Sequence, residues 1–264
     1  MFRSWCQMKR IPNISTESGR YFLTDRIREE VDFRGTLQSR GVRPPPIQKP
    51  VSLDSTIIRL PDPESWAVPQ CELQSAIANR ESHRRFTADS LSLDELAFLL
   101  WSTQGVREEL HEAAVLRTVP SAGCRHPFET YLAINRVEGI ESGIYRYLPL
   151  DHSIVLERDI NNLPAYLTAA THGQSFAGQA AVTFIWTVIP TRTEWRYAEA
   201  SYKVIALDAG HVCQNLYLAC EAIGAGTCAI AAYNQTLADD LLGVDGVDEF
   251  VIYMAPVGKV SKIR

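Results

Sequence analysis

The chain lacks a hydrophobic run long enough to cross a membrane. Its longest apolar stretches, such as Ala180 to Ile189, stop well short of the roughly 18 to 20 residues that a spanning helix needs. Its first ten residues, Met1 to Arg10, are polar and basic and lack the apolar segment of a secretory leader. A large charge excess of one sign is missing too, since the charges are mixed along the chain and sum to −5. Neither nucleic acid nor membrane is therefore an expected partner, and any anion site must be local. Six cysteines occur without a CxxC pair. Cys213 and Cys220 fall in one expected helix, about 10.5 Å apart along its axis, too far for a disulfide. Reduced thiols in a cytoplasmic setting are the expectation.

Several catalytic signatures are absent. There is no GxxxxGK[ST] phosphate loop, no HExxH and no GxSxG elbow, and the six histidines show no metal-ligand spacing with the cysteines. No metal site is expected. Gly224 to Ala229 matches GxGxxA in letters, but it follows a helix where a dinucleotide fingerprint must follow a strand and open a helix. A Rossmann reading is excluded on that ground. His211, inside an apolar helix, reads as a hydrogen-bonded core residue rather than a base.

What is present suits one large domain, because 264 residues of which 46% are hydrophobic can bury a sizeable core. Residues 1–68, rich in Arg and Pro and carrying Pro44-Pro45-Pro46, read as an extended arm with one short helix around Tyr21 to Val31. Such an arm wraps over the main body or a partner subunit, although a loose tail fits the same composition. Residues 69–264 form the expected domain. Cys71, Leu73 and Ile77, with Ala76 and Ala78, predict an amphipathic helix ending near Arg80. Ser92-Leu93-Asp94-Glu95 is a capping box opening a second helix, with Leu93, Leu96, Leu99 and Leu100 on its buried face. Tyr131 to Val137, Gly143 to Leu148 and Ser153 to Leu156 predict an antiparallel meander. Ala181 to Ile189 is too apolar to alternate and predicts a central strand covered on both faces. Glu249 to Val257 predicts another strand, and Ala206 to Ile223 an apolar helix in the core or at a dimer interface. The irregular alternation of helices and antiparallel strands predicts an α+β sandwich, one mixed sheet between helical layers.

Two segments carry candidate chemistry. Arg80 and Arg84 flank Ser82 and could converge on a phosphate dianion if the segment is helical or tightly turned. A solvated charged helix end explains the same spacing. Pro120, Ser121, Ala122 and Gly123, before His126-Pro127, can bring backbone close to a flat ligand, or can form a structural loop.

In chain order these pieces resemble the nitroreductase family, in particular its SagB/ThcOx-like branch, over roughly residues 70 to 260. The motifs are the RxSxR of Arg80, Ser82 and Arg84; Pro120-Ser121-Ala122-Gly123 followed by His126 to Tyr131; Trp195-Arg196-Tyr197 leading to Asp208-Ala209-Gly210-His211; and Gly226 to Ala232. The resemblance implies a three-layer sandwich with a mainly antiparallel mixed sheet, in a domain-swapped type of homodimer holding two FMN at the subunit interface. Arg80, Ser82, Arg84 and Lys259 would hold the ribityl phosphate, Pro120 to Gly123 would lie along the flavin, and the backbone of Ala231 and Ala232 would face its N5. Trp195, Arg196, Tyr197 and Tyr202 are the implied cavity wall. Glu81 stands where the family often has a second Arg, and Ala231-Ala232 where pairs commonly include glycine. The implied activity is ping-pong hydride transfer from NAD(P)H to a nitroaromatic, quinone or related acceptor. The branch also permits azoline dehydrogenation on a peptide. A non-catalytic scaffold, with or without flavin, is the alternative of another class.

Overall fold

The computed structural model describes residues 15–111 and 114–261, so the reading of Met1 to Arg10 lies outside the described residues. Two short helices open the arm, α1 (Thr16–Leu23) and α2 (Ile27–Glu30), where the sequence predicts one; Thr24 to Arg26 break the run. The arm then makes a 3-10 turn (Phe33–Gly35) and a further turn at 37–41 before it reaches β1 (Ile57–Arg59) and the helices α3 (Leu73–Asn79) and α4 (Leu93–Gln104). The Ser92 and Glu95 side chains reciprocally cap α4, each satisfying an amide that the first turn leaves without a helical partner.

A two-stranded ribbon, β2 (Val106–His111) with β3 (Ala114–Arg117), precedes the strands β4 (Phe128–Ile134), β5 (Gly143–Leu148) and β6 (Ser153–Arg158). The helices α5 (Leu163–Ala170) and α6 (Ser175–Gln179) lead to β7 (Val182–Val188) and α7 (Thr191–Tyr197). The long helix α8 (Ser201–Ala222), β8 (Ala225–Thr227), α9 (Gln235–Leu242) and β9 (Phe250–Lys259) complete the domain.

Seven strands form one sheet in the order β1-β6-β5-β4-β7-β9-β8. The sheet is mainly antiparallel, as expected: every named strand pair in it is antiparallel, and the parallel contacts are isolated bridges, Ser82 with Thr227 and Leu91 with Val137. β7 lies between β4 and β9 and is buried along its whole length, which is why its sequence does not alternate. Its side chains divide between two cores. Phe184 and Trp186 join Leu132, Leu96, Leu99, Val212 and Leu216 under α4 and α8, whereas Ile185 joins Tyr131, Leu167, Phe176 and Leu241 under α5, α6 and α9. The fold is an α+β three-layer sandwich. No described helix is long and apolar enough to cross a membrane, and the five described cysteines carry free thiols.

The arm is fixed by polar groups that the sheet buries. The Lys49 ammonium donates to Glu249 Oε2 at 2.5 Å and to Tyr131 Oη at 2.9 Å, and the Lys49 amide donates to Glu129 Oε1. Glu129 also accepts from Arg192 at 2.5 Å and Arg146 at 3.4 Å, both nearly inaccessible. Two expectations fail on this frame. Leu73 and Ile77 of α3 are 64% and 60% exposed, because within the chain only Ala76 of that helix turns inward. His211 is exposed on α8, 3.8 Å from Asp208, since its position falls on the helix face that no other element covers.

Candidate active site

The segment from Arg80 to Thr87 leaves α3 and runs extended along the sheet edge, with the Ser82–Thr227 bridge at one end and Thr87 N–H on Lys259 O at 2.9 Å at the other. Arg80 and Ser82 both lie against Tyr217, on an extended segment where a helical turn was expected, and Arg84 follows two residues on. His83 faces Gly226 on the opposite side so closely that a Cβ there would stand 2.5 Å from its ring. Tyr217 of α8 organises this cluster. Its hydroxyl is 3.1 Å from Ser82 Oγ and accepts from Ala229 N–H at 2.9 Å, and its ring lies 5.4 Å from the Arg80 guanidinium.

Among the described residues Arg84 has no hydrogen-bond or ion-pair partner, and Arg80 has no ion pair. The amides of Ala231 and Ala232, exposed on the loop after the Ile230–Met254 bridge, also have no partner among the described residues. The Lys259 side chain is not brought to this group: its ammonium donates to Glu95 Oε1 and to Ile223 O. Its backbone lies alongside the segment, while its ammonium is held by α4 and the residue that ends α8.

A second cluster surrounds Ser121. The carboxylate of Asp208, on α8, accepts from Ser121 Oγ at 2.6 Å and from Ala122 N–H at 3.0 Å, and Ser121 Oγ accepts in turn from His126 N–H at 2.9 Å. Burial raises the Asp208 pKa against these bonds. The loop is strained: Cys124 (φ 54°), His126 (φ 43°) and nearby Ala198 (φ 45°) are non-glycine residues in the left-handed region. Such residues cost about 1 to 3 kcal/mol each and collect where the fold holds a functional shape. Gly123, at φ 59°, packs against Arg196 and Tyr197; a Cβ would stand 2.7 Å from the Tyr197 hydroxyl and 2.8 Å from Arg196 Cδ. Trp195 turns away from this surface. It is buried, its indole donates to Val42 O at 2.8 Å, and Arg125 stacks on its ring. Tyr202 is half exposed at the start of α8.

Burial, with the Arg117 guanidinium nearby, pushes the pKa of His126 down to about 3. A depressed folded-state pKa contributes stability that is present above the unfolded value near 6.5 and is lost as pH falls toward 3. Acid unfolding should steepen by about 1.4 kcal/mol per pH unit in that window. His126→Asn, which tolerates the left-handed backbone, should flatten that slope in melts recorded between pH 7 and pH 4.

Asp208 and Tyr217 were not singled out for these roles by the sequence. Asp208 carried a signal, being the one acid in α8 before Glu221; Tyr217 carried none.

The sequence model of the nitroreductase family matches residues 77–259. A protein of Methanocaldococcus jannaschii named as a nitroreductase is 31% identical over 208 residues, 78% of this chain and 98% of its own length. The trifolitoxin-processing protein TfxB of Rhizobium leguminosarum is 28% identical over 165 residues, 60% of this chain and 44% of its own length. Among solved structures, a protein of Ralstonia eutropha named as a nitroreductase superimposes with a TM-score of 0.65 at 25% identity, over 84% of this chain and 96% of its own.

Proposed function

The chain belongs to the nitroreductase family of oxidoreductases, and from that premise we propose that it is an FMN-dependent enzyme, active as a homodimer, that passes hydride from NAD(P)H to a small acceptor. When bound, FMN supplies the hydride chemistry at N5, so no side-chain nucleophile is required. The residues present fit it. Arg80 and Arg84 offer charge without an ion pair, beside a hydroxyl, for the phosphate dianion. The unpaired amides of Ala231 and Ala232 offer rigid donors that cannot titrate, suited to a flavin edge. Lys259 is assigned no part in holding phosphate, because Glu95 and the Ile223 carbonyl already occupy its ammonium.

The observation that carries the reading is the arrangement of the two clusters on α8. Asp208 and Tyr217 are nine residues apart, two and a half turns, so they stand about 13.5 Å apart along the axis and on opposite flanks. Between them lies an exposed face with Leu207, Gly210, His211 and Gln214. A dimer that packs this face on its copy has its two-fold axis in the plane of contact. In our reading the Ser121 loop of one subunit and the Arg80 segment of the other supply the two halves of each flavin site, so each site is composite. The uncovered Leu73 and Ile77 support the same contact.

Complementation tests this directly. Arg84→Ala and Asp208→Ala chains, each defective alone, should recover flavin when subunits are exchanged, because half of the dimers are mixed and each has one intact site of two. The expected content is about a quarter of the wild-type value. No recovery, with exchange demonstrated, contradicts the composite site. Similarity to the trifolitoxin-processing protein supports a second reading, azoline dehydrogenation on a peptide, distinguished by which donor reduces the oxidised protein, NAD(P)H or an azoline-bearing peptide.

A further inference from the structure

A cavity of about 330 Å³ lies between the arm and the end of α7, lined by Arg28, Phe33, Thr36, Gln38, Ser39, Arg196 and Tyr197. Its charge is one-sided: two guanidiniums line it and no carboxylate does. Arg196 has no ion pair among the described residues. Arg28 is paired with Asp25 at 2.9 Å, but Asp25 is largely exposed and is not part of the lining. The Tyr197 ring is flanked by both cations, Arg28 at 5.9 Å and Arg196 at 5.6 Å, and Arg28 also lies 5.8 Å from the Phe33 ring. The hydroxyls of Thr36 and Ser39 are already used within the arm, on Phe33 O and on each other. The available polar groups are thus the Arg196 guanidinium, the part of the Arg28 guanidinium that Asp25 leaves unused and the Gln38 side-chain amide, and the aromatic rings are the flat walls.

We propose that this cavity binds the carboxylate of a planar acceptor, with Arg28 of the arm and Arg196 of the domain as its two cations. The proposal rests on the reading of Arg196 and Tyr197 as cavity wall and gives that site a substrate class. Arg196 and Tyr197 pack directly on Gly123, so a molecule held there extends toward the Pro120 to Gly123 loop. Guanidinium forks match carboxylates in geometry, the rings accept a flat partner, and the volume is at the small end of ligand pockets, suited to a single ring. The arm thereby becomes part of the specificity apparatus, where the sequence suggests only a wrapping segment.

The test is a calorimetric titration of the full-length protein with benzoate and with benzamide, which share shape and differ in charge. Benzoate is expected to bind about 10- to 100-fold more tightly, from one or two charge-assisted contacts. Arg28→Ala and Arg196→Ala should each abolish that preference, while Arg28→Lys should retain part of it; circular dichroism melts check that the variants are folded. Equal binding of the two probes, or a preference untouched in both alanine variants, overturns the proposal. So does tighter binding of adenosine 2′-monophosphate, which would assign the cavity to the phosphate of a nicotinamide cofactor. Flavin content, measured on the same samples, separates the two readings: a colourless protein that still selects benzoate removes the FMN assignment and leaves the carboxylate site standing, and a yellow protein without selection does the reverse.

Discussion

Replacing Glu129 with alanine is expected to destabilise the protein by about 3 to 5 kcal/mol, the usual cost of leaving buried charge without its partner. The Glu129 carboxylate accepts from the Arg192 and Arg146 guanidiniums and from the Lys49 amide of the arm, and all three side chains of the ion-pair cluster are at most 3% exposed. Arg146 retains Glu157 at 2.7 Å. Arg192 retains no carboxylate among the described residues, and one of its terminal nitrogens is already without a partner there. For a chain of this size the loss corresponds to a fall in melting temperature of roughly 10 °C or more. Because the Lys49 contact goes with it, trypsin should cut the arm after Arg40 faster in the variant. The double replacement Glu129→Met/Arg192→Met should recover much of the stability, since a buried pair exchanged whole for apolar groups of similar volume is often neutral. A single replacement that melts like the wild type would show that the cluster does not hold the arm and sheet together.

The second large effect concerns cofactor affinity. Arg80→Ala/Arg84→Ala should weaken FMN binding by about 100-fold or more, each charge-assisted contact to phosphate contributing about 1.5 to 3 kcal/mol. Riboflavin, which has no phosphate, should bind the wild type and the double variant alike. That comparison isolates the phosphate from the ring and shows whether Glu81 and the Ser82–Tyr217 contact leave the segment able to grip an anion.

Much of the framework was legible in the sequence because local rules and tertiary context agree there. The capping box at Ser92 and Glu95, the fully buried β7, the meander and the long helix α8 each combine a propensity with a burial pattern of matching period. Elsewhere the context overrode the local signal. Leu73 and Ile77 have helical spacing but nothing in the chain to bury them, and a pattern cannot say which surface covers a face. The Arg80 to Arg84 spacing suggested a helical turn, whereas pairing with Thr227 draws the segment out straight. Lys259 was expected at the phosphate; the capping-box Glu95, which lies far away in sequence, captures its ammonium. Asp208 and Tyr217 were hidden for the same reason, as their partners, Ser121 and Ser82, lie 87 and 135 residues away. The role of the arm was equally invisible, because Arg28 acquires a partner cation only when α7 is folded beneath it.

The central claim is that the two clusters on α8 build an FMN site, and the visible absorption spectrum of the purified full-length protein tests it most directly. After addition of FMN and removal of the excess, the account predicts flavin bands near one FMN per chain that bleach when NADH or NADPH is added under anaerobic conditions. A folded, dimeric protein that remains colourless after that treatment would contradict it and leave a flavin-less scaffold as the reading.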